Sequence, residues 1–578
     1  MKYLINLLFL CLSIQLFAQN IEPLDPKKSA DDSAWDNTNP KIHLSFVDAN
    51  YSLSKHNIPT SAQLKTTWIG KGWKNETINT QLAFWSSIAK YNGQNVQLLA
   101  SDLVSGKNRI KSSNIQFSPI AYVLSDDPSK LNQGCGINIM LDSTLVADRI
   151  ENTSHFSYRA KETRPLWLSI QIPTDASAGT YTGTLRIKIG KAKTIKLPYS
   201  IEVSNRVLPD AKDWTFHLDL WQNPYASARY YGLEVLSDAH LDRIKPSMKR
   251  LAQAGQKNIT TTLIYDPWNS QTFDKYDAMI KWTKRKDGSW HYDYKDFDKW
   301  VEFMQQLGVG EFINCYSMIP WNLSFYYFDE NTNKTEILKA KPGEEAYEQH
   351  WLPFLKDFAK HLKSKGWFGK TTIAMDERPM KDMQAATAII NKADKDFKIS
   401  LAGYYHAELS DDIIDYAIPF HSDMKEEILV ARKAKGYKTT LYTCCTEIFP
   451  NTFTSNGFYD PIFLMLNSVE RGFDGYLRWA YDCWNKNPQQ DTRFGTWPGG
   501  DTYLVYPNNE TSIRFENMRD GIQQVEKIRI LREDLKKENK REQLQQLENH
   551  IKTFDNKIKN RDLIPNMVKT AKNFINSL

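Results

Sequence analysis

Strand-like runs alternate with helical stretches eight times between residues 211 and 520, and no other feature narrows the fold so far. The runs fall at 216–221, 259–265, 312–317, 371–375, 399–405, 417–421, 439–444 and 475–480. Amphipathic stretches at 238–254, 296–307, 346–365, 381–392 and 425–435 lie between them. Parallel neighbours in a sheet need long crossover connections, and helices supply them. Eight such units predict a (β/α)8 barrel of TIM type, whose working face is where the strands end.

The flanking segments follow other rhythms. Residues 41–206 carry short alternating runs broken by turn residues, as in Leu166-Trp167-Leu168-Ser169-Ile170-Gln171-Ile172-Pro173 and Thr180-Tyr181-Thr182-Gly183-Thr184-Leu185. Spacing near ten residues predicts a β-sandwich, which serves either as a spacer or as a carbohydrate-binding module. Residues 521–578 are charged and helical, with Leu531, Leu535, Leu544, Leu547 and Ile551 as apolar positions. They read as a C-terminal helical segment, packed on the barrel as a cap or offered to a coiled-coil partner. The predicted organisation is therefore multidomain: signal peptide 1–18, polar segment 19–40, β-sandwich 41–206, barrel 211–520 and helical segment 521–578.

The leader follows from Lys2, the apolar run Leu7-Leu8-Phe9-Leu10-Cys11-Leu12 and a cleavage region at Phe17-Ala18-Gln19. That run is too short to span a bilayer stably, so the expected product is exported, periplasmic or secreted, with no stable membrane insertion. A net charge of +6 over 578 residues, without an arginine-rich stripe, argues against nucleic acid. No His/Cys cluster has metal-ligand spacing, and no metal or cofactor is expected. Of six cysteines, Cys11 lies in the leader; Cys135, Cys315 and Cys483 are isolated and Cys444-Cys445 adjacent, which does not suggest a disulfide framework.

The exits of the strand-like runs hold the chemistry. The fourth ends in Asp376-Glu377, followed by Arg378-Pro379, where a strand must stop. Adjacent strand residues point to opposite faces, so both acids serve one pocket only if the backbone turns there. The pair reads either as a catalytic site or as a helix N-cap with an acidic first turn. Nearly every other exit sets an aromatic ring beside a hydrogen-bonding side chain, in a chain with 17 Trp, 28 Tyr and 27 Phe. Rings stack on apolar sugar faces while polar groups hold hydroxyls. The candidate substrate contacts are Trp221 and Gln222 at the first exit, Asn314 at the third, Tyr404 and His406 at the fifth and Tyr442 at the seventh. Arg478, Trp479, Tyr481 and Asp482 belong to the eighth. The exits also carry Tyr265-Asp266-Pro267-Trp268 and Pro320-Trp321-Asn322. No phosphate-cradling glycine loop and no Gly-x-Ser-x-Gly turn is present.

Over roughly residues 160–530 the chain resembles glycoside hydrolase family 123, the retaining β-N-acetylgalactosaminidases. The resemblance rests on Leu218-Asp219-Leu220-Trp221-Gln222, Asp376-Glu377, Tyr476-Leu477-Arg478-Trp479, Gly500-Asp501-Thr502-Tyr503-Leu504-Val505-Tyr506-Pro507 and Ser512-Ile513-Arg514-Phe515-Glu516-Asn517-Met518-Arg519-Asp520-Gly521. It implies a β-sandwich before a (β/α)8 barrel. It also implies exo-acting release of terminal β-linked N-acetylgalactosamine from glycans such as glycosphingolipids, by substrate-assisted catalysis. Glu377 is then the general acid/base, with a pKa raised by its acidic neighbour. Asp376, kept ionised, orients and stabilises the 2-acetamido group. Tyr442 and Trp479, from strand position, are candidates for the wall around the acetamido methyl.

Two other readings stand beside this one. Glu447 follows the seventh run, so Glu377 and Glu447 could act as acid/base and nucleophile of a two-carboxylate retaining β-glycosidase. A non-catalytic glycan-binding protein would present the same aromatic rim. Linkage and oligomeric state are not written in the sequence.

Overall fold

The computed structural model describes residues 22–23, 26, 33–48, 50–128, 134–136, 143–191 and 193–578. The expected leader at 1–18 and half of segment 19–40 lie outside them.

Two sheets form the N-terminal region, the first antiparallel throughout and the second with one parallel pair, Lys193–Val207 beside Ile69–Lys74. The first runs in the order Leu64–Lys65, Ile42–Val47, Thr77–Ser86, Glu162–Gln171, Ile115–Ser125, Thr144–Ile150 and Thr511–Ser512. The second is built around Asn95–Ala100, Gly179–Ile189, Lys193–Val207 and Ile69–Lys74. Along Gly179–Ile189 the apolar residues Tyr181, Leu185, Ile187 and Ile189 turn inward while Thr182, Arg186 and Lys188 stay out, the alternation of a half-buried strand. They meet Phe46, Leu82, Phe84, Leu166 and Leu168 of the first sheet in one core. Thr77–Ser86 is buried on nearly every residue, because the first sheet is covered on its other face as well.

That cover is the C-terminal half. Buried ion pairs cross the junction: Lys527 to Glu76 at 2.5 Å, Arg514 to Asp148 at 2.9 Å and Arg149 to Glu510 at 2.7 Å. Lys527 and Arg514 sit on the helix Ile513–Lys537, capped by Ser512, whose hydroxyl accepts from the Phe515 N–H. This helix is continuous through residues 520 and 521, where the sequence reading divides barrel from helical segment. Arg541–Ile551 and Ile564–Ile575 follow it. Leu531, Leu535, Leu547, Ile551 and Val568 share a core with Ile462, Phe463 and Leu466 of the helix Asp460–Glu470. The tail is a helical cap on this chain, and its apolar face is already covered, which removes the coiled-coil alternative.

Between these parts stands a barrel-like parallel sheet with helices. All eight strands read from the sequence are present: His217–Leu220, Asn258–Thr262, Phe312–Tyr316, Thr371–Met375, Lys398–Ala402, Ile413–Pro419, Lys438–Tyr442 and Gly475–Arg478. Taken in chain order as strands 1 to 8, they neighbour one another as 1-8-7-6-5-4-3-2, every pairing parallel. Gly475 starts strand 8 against strand 1, where any Cβ would overlap the His217 carbonyl; only glycine permits that approach. Strands 1 and 2 touch through a single parallel bridge, Leu218 to Gln256.

Two features depart from an even eightfold alternation. After strand 5 there is only the one-turn 3-10 helix Ala407–Leu409, because the polar stretch from Glu408 to Asp412 offers no apolar stripe to bury. The loops after strands 2 and 3 donate a four-stranded sheet, Trp290–Asp293, Lys281–Lys284, Ser324–Asp329 and Lys334–Lys339, absent from the sequence reading.

Candidate active site

Asp376 and Glu377 follow strand 4 directly, and the next helix, Met380–Ala393, takes Pro379 as its N-cap. The acids therefore precede the helix and do not cap it, which removes the N-cap alternative. The backbone turn separates their environments. Asp376 is buried and Glu377 exposed.

Asp376 Oδ2 accepts from the indole N–H of Trp321 at 3.0 Å. Its Oδ1 is in ion-pair contact with the Arg378 guanidinium at 2.8 Å, yet accepts no hydrogen bond among the described residues. Arg378 is itself held by the Ile319 carbonyl at 2.7 Å and lies 4.0 Å over the Trp321 ring. Burial lifts the Asp376 pKa to about 6; Arg378 and the Trp321 N–H oppose that rise and the Glu377 charge adds to it. The sequence reading placed a raised pKa on Glu377 and an ionised carboxylate at Asp376; in the structure Asp376 is the buried acid, and desolvation is the leading cause of its rise, ahead of the opposing Arg378 charge.

Glu377 Oε1 accepts the phenol hydrogen of Tyr442 at the end of strand 7. Burial and the Glu377 charge push the Tyr442 pKa far up, so it remains a donor. Gly403, just past strand 5, lies against Glu377: a Cβ there would stand 3.5 Å from the Glu377 Cα.

Below the acids the strand ends form a graded floor. Trp221, Trp268, Tyr276 and Tyr316 crowd one side, with Trp221 and Tyr316 ring centroids 4.5 Å apart. Ala374, Ala402 and Ala417 of strands 4, 5 and 6 face them in the same cluster, with Tyr442 and the half-buried Trp479 beside them. Large rings opposite small methyls give a tilted apolar floor under a polar mouth.

Of the expected contacts, Trp221, Tyr442 and Trp479 belong to this floor. Tyr404 and His406 lie on the adjoining loop, Tyr404 62% exposed, both tethered by backbone to the Tyr416 hydroxyl. The others are turned to structural work. The Gln222 carboxamide accepts from Thr260 N at 3.0 Å and donates to the Leu220 carbonyl, stitching strands 1 and 2 where backbone pairing is sparse. Asn314 sits inside the sheet, donating to Asp219 at 3.2 Å and accepting from Thr372 at 2.8 Å. There it joins a buried network with Asn258, Asp415 and His217, in which burial and the Asp415 charge push Asp219 up to about 7. Arg478 is fully buried, paired with Asp501 at 2.5 Å and donating to Asn451 at 2.9 Å. The Tyr481 hydroxyl donates to the Ser247 carbonyl at 3.0 Å, outside the barrel, and Asp482 accepts from Asn223 N at 2.7 Å. Each of these side chains is tied to other parts of the protein, although the buried Arg478 Nε has no hydrogen-bond partner among the described residues.

Glu447 is buried and caps its own turn, accepting from Cys444 N and the Thr446 hydroxyl, both at 2.9 Å. In the same turn Cys445 forms a disulfide with Cys135, their Cα atoms 4.8 Å apart across 310 positions. Reading Cys135 as isolated was wrong, because pairing follows space and not spacing. The residues that sequence reasoning left out of the site are Trp321 and Arg378. Both stand in motifs noted for other reasons; nothing in sequence spacing tells that Trp321 reaches Asp376. Among the described residues no group of three His, Cys, Asp or Glu could hold a metal, and no helix is long and apolar enough to cross a membrane.

Two family models match. The model described as "Glycoside hydrolase 123, catalytic domain" covers residues 221–531, and that described as "Glycoside hydrolase 123 N-terminal domain" covers 46–189. Among solved structures, a family 123 glycoside hydrolase from Clostridium perfringens, studied for glycolipid glycan hydrolysis, superposes with a TM-score of 0.84 at 27% identity. The match covers 93% of this chain and 98% of that one. A Bacteroides ovatus GH5 xyloglucanase aligns over 78% of this chain and 97% of its own at 7% identity, with a TM-score of 0.29, too low to support an argument. No curated protein matches.

Proposed function

The chain belongs to glycoside hydrolase family 123, and from that premise we propose that it releases terminal β-linked N-acetylgalactosamine from glycans, glycolipid glycans among them, by substrate-assisted catalysis in a (β/α)8 barrel. One observation carries the mechanism: two adjacent acids occupy opposite environments. Asp376 is buried and anchored, suited to a fixed electrostatic duty. Glu377 is exposed beside a phenol donor, suited to exchanging protons with a leaving group and with water.

The substrate's acetamido oxygen attacks the anomeric carbon while Glu377 gives its proton to the departing glycosidic oxygen, and an oxazolinium forms. Asp376, ionised, accepts the acetamido N–H and balances the positive charge that develops there. Glu377 then deprotonates a water that attacks the same carbon, reopening the ring with net retention. Tyr442 steadies Glu377 through both steps. The two-carboxylate alternative would make Glu447 the nucleophile, but one of its oxygens already holds two donors of its own turn.

Export is part of the same proposal. A disulfide joining residues 135 and 445 is supported in an oxidising compartment. Mass determination of the mature chain after expression with its own N-terminus tests removal of residues 1–18.

The mechanism is tested with matched chromogenic β-N-acetylgalactosaminide, β-N-acetylglucosaminide and β-galactoside, on wild type and Glu377→Gln. Cleavage of the first but not the plain galactoside, lost by a factor of about 100 or more in the variant, supports the reading. Strong cleavage of the galactoside overturns it in favour of Glu447.

A further inference from the structure

A line of aromatic rings leads from the catalytic floor to the protein surface. It starts at Trp479, half-buried against the floor, with its N–H directed to Asp501 Oδ1 at 3.3 Å. Trp497 follows, its ring centroid 5.9 Å from that of Trp479 and inclined at 70°. Trp497 is fixed by its own N–H on the Gln271 carbonyl at 3.0 Å. The tight turn Phe494-Gly495-Thr496-Trp497, closed by Trp497 N on the Phe494 carbonyl at 3.0 Å, sets Phe494 alongside. Gly495 supplies the positive φ of 56° that the turn needs. Phe494 meets Phe273 at 6.0 Å and 72°, and Phe273 is 42% exposed. The Arg229 guanidinium lies 4.7 Å over Phe273 and is clamped by Asp274 through bonds of 2.8–3.0 Å.

We propose that Trp497, Phe494 and Phe273, continuing from Trp479 at the floor, form a track for the sugar residues on the leaving-group side of the scissile bond. The inference rests on the exo-acting reading above: a terminal sugar at Glu377 has no sugar on its far side, so anything the track holds belongs to the aglycone. The two ring steps of 5.9 and 6.0 Å, joined by a turn whose ends lie within about 7 Å, make a path of at most about 19 Å, the scale of a short oligosaccharide. The rings meet edge to face, which leaves parts of alternate faces free for stacking on the apolar sides of pyranoses. Charged groups flank the outer end, Arg229 with Asp274 and Lys275 with Asp266, the latter 3.4 Å apart. Hydroxyls are matched by such partners, whereas an acyl chain laid there would desolvate them without recompense. The chemistry is that of an oligosaccharide and not of the lipid beyond it.

The test compares kcat/KM on a chromogenic β-N-acetylgalactosaminide, on a free oligosaccharide with the same terminal sugar, and on that glycan attached to ceramide. Phe273→Ala and Trp497→Ala are set against Val430→Ala, which removes an exposed side chain on the remote helix Glu426–Ala434. The ratio of oligosaccharide to chromogenic kcat/KM is expected to fall at least tenfold in the two aromatic variants and to hold in Val430→Ala. An unchanged ratio refutes the track. A loss confined to the ceramide substrate also refutes it, since the rings then serve lipid. Should wild type cleave none of the three, the proposed function fails. The track is then judged by calorimetric titration of the same oligosaccharide: at least fivefold weaker binding to Phe273→Ala supports it, and equal binding overturns it. Phe273 is exposed enough that its removal leaves the fold intact, so this arm does not depend on Trp497→Ala folding.

Discussion

Replacing Trp321 by Phe removes one hydrogen bond to Asp376 and keeps the ring beneath Arg378. The Trp321 N–H donates to Asp376 Oδ2 at 3.0 Å and favours the charged carboxylate. Hydrogen bonds to charged groups contribute about 1.5–3 kcal/mol. Trp321 is 47% exposed, so solvent screening puts the value at or below the low end, about 1.4 kcal/mol, or one pKa unit. Asp376, already lifted to about 6 by burial, then rises by about one unit. If Asp376 must be ionised to receive the acetamido N–H, the acid limb of kcat/KM against pH follows the free-enzyme pKa. The variant's limb is expected about one unit higher, with a roughly tenfold loss at pH 5 relative to wild type and little relative loss at pH 8. The assay is a pH series with the chromogenic β-N-acetylgalactosaminide. Arg378→Met, which removes the larger lowering influence, should move the limb further in the same direction. An acid limb that stays in place while the overall rate drops refutes the reasoning, because Trp321 would then act on the sugar and not through Asp376.

Asp376→Asn probes the same burial through stability. Asp376 has a folded pKa near 6 against an ordinary value of 3.8, so its stabilising contribution is greatest at low pH and is lost as pH rises through 6. The variant should therefore gain on wild type between pH 4 and pH 8, by at most about 3 kcal/mol before the loss of the Arg378 partner is subtracted; urea midpoints at the two pH values measure it, and no pH-dependent gain would count against the buried, raised carboxyl. Asp501→Ala strands the fully buried Arg478 without its partner and is expected to cost about 3–5 kcal/mol in urea unfolding; a cost below about 1 kcal/mol would show that Arg478 is solvated and free to meet substrate. The pair Cys135→Ser and Cys445→Ser opens a closed loop of 310 positions and should lose about 3–5 kcal/mol, read as a lowered melting temperature that matches wild type under reducing conditions.

The sequence by itself determined the parts whose cause is local. Each of the eight barrel strands is a short β-rich run with its own boundaries, and Thr371–Met375 ends where Arg378-Pro379 forbids continuation. Period-two burial along Gly179–Ile189 is likewise a property of neighbouring residues. Asp376-Glu377 was visible as an adjacent pair at a strand exit, because adjacency is a sequence relation.

Only the tertiary structure decided what each exit residue does. Gln222, Asn314, Arg478, Tyr481 and Asp482 read as sugar contacts, and the fold spends their polar atoms on seams, buried networks and loop ties. A side chain's chemical type is written in the sequence; whether another buried group has already claimed it depends on residues tens or hundreds of positions away. The same reason hid Trp321 beside Asp376, Cys135 beside Cys445, and the line from Trp479 to Phe273. It also decided which of two adjacent acids is desolvated, since burial is a sum over everything packed around a carboxyl and spacing along the chain carries no record of it.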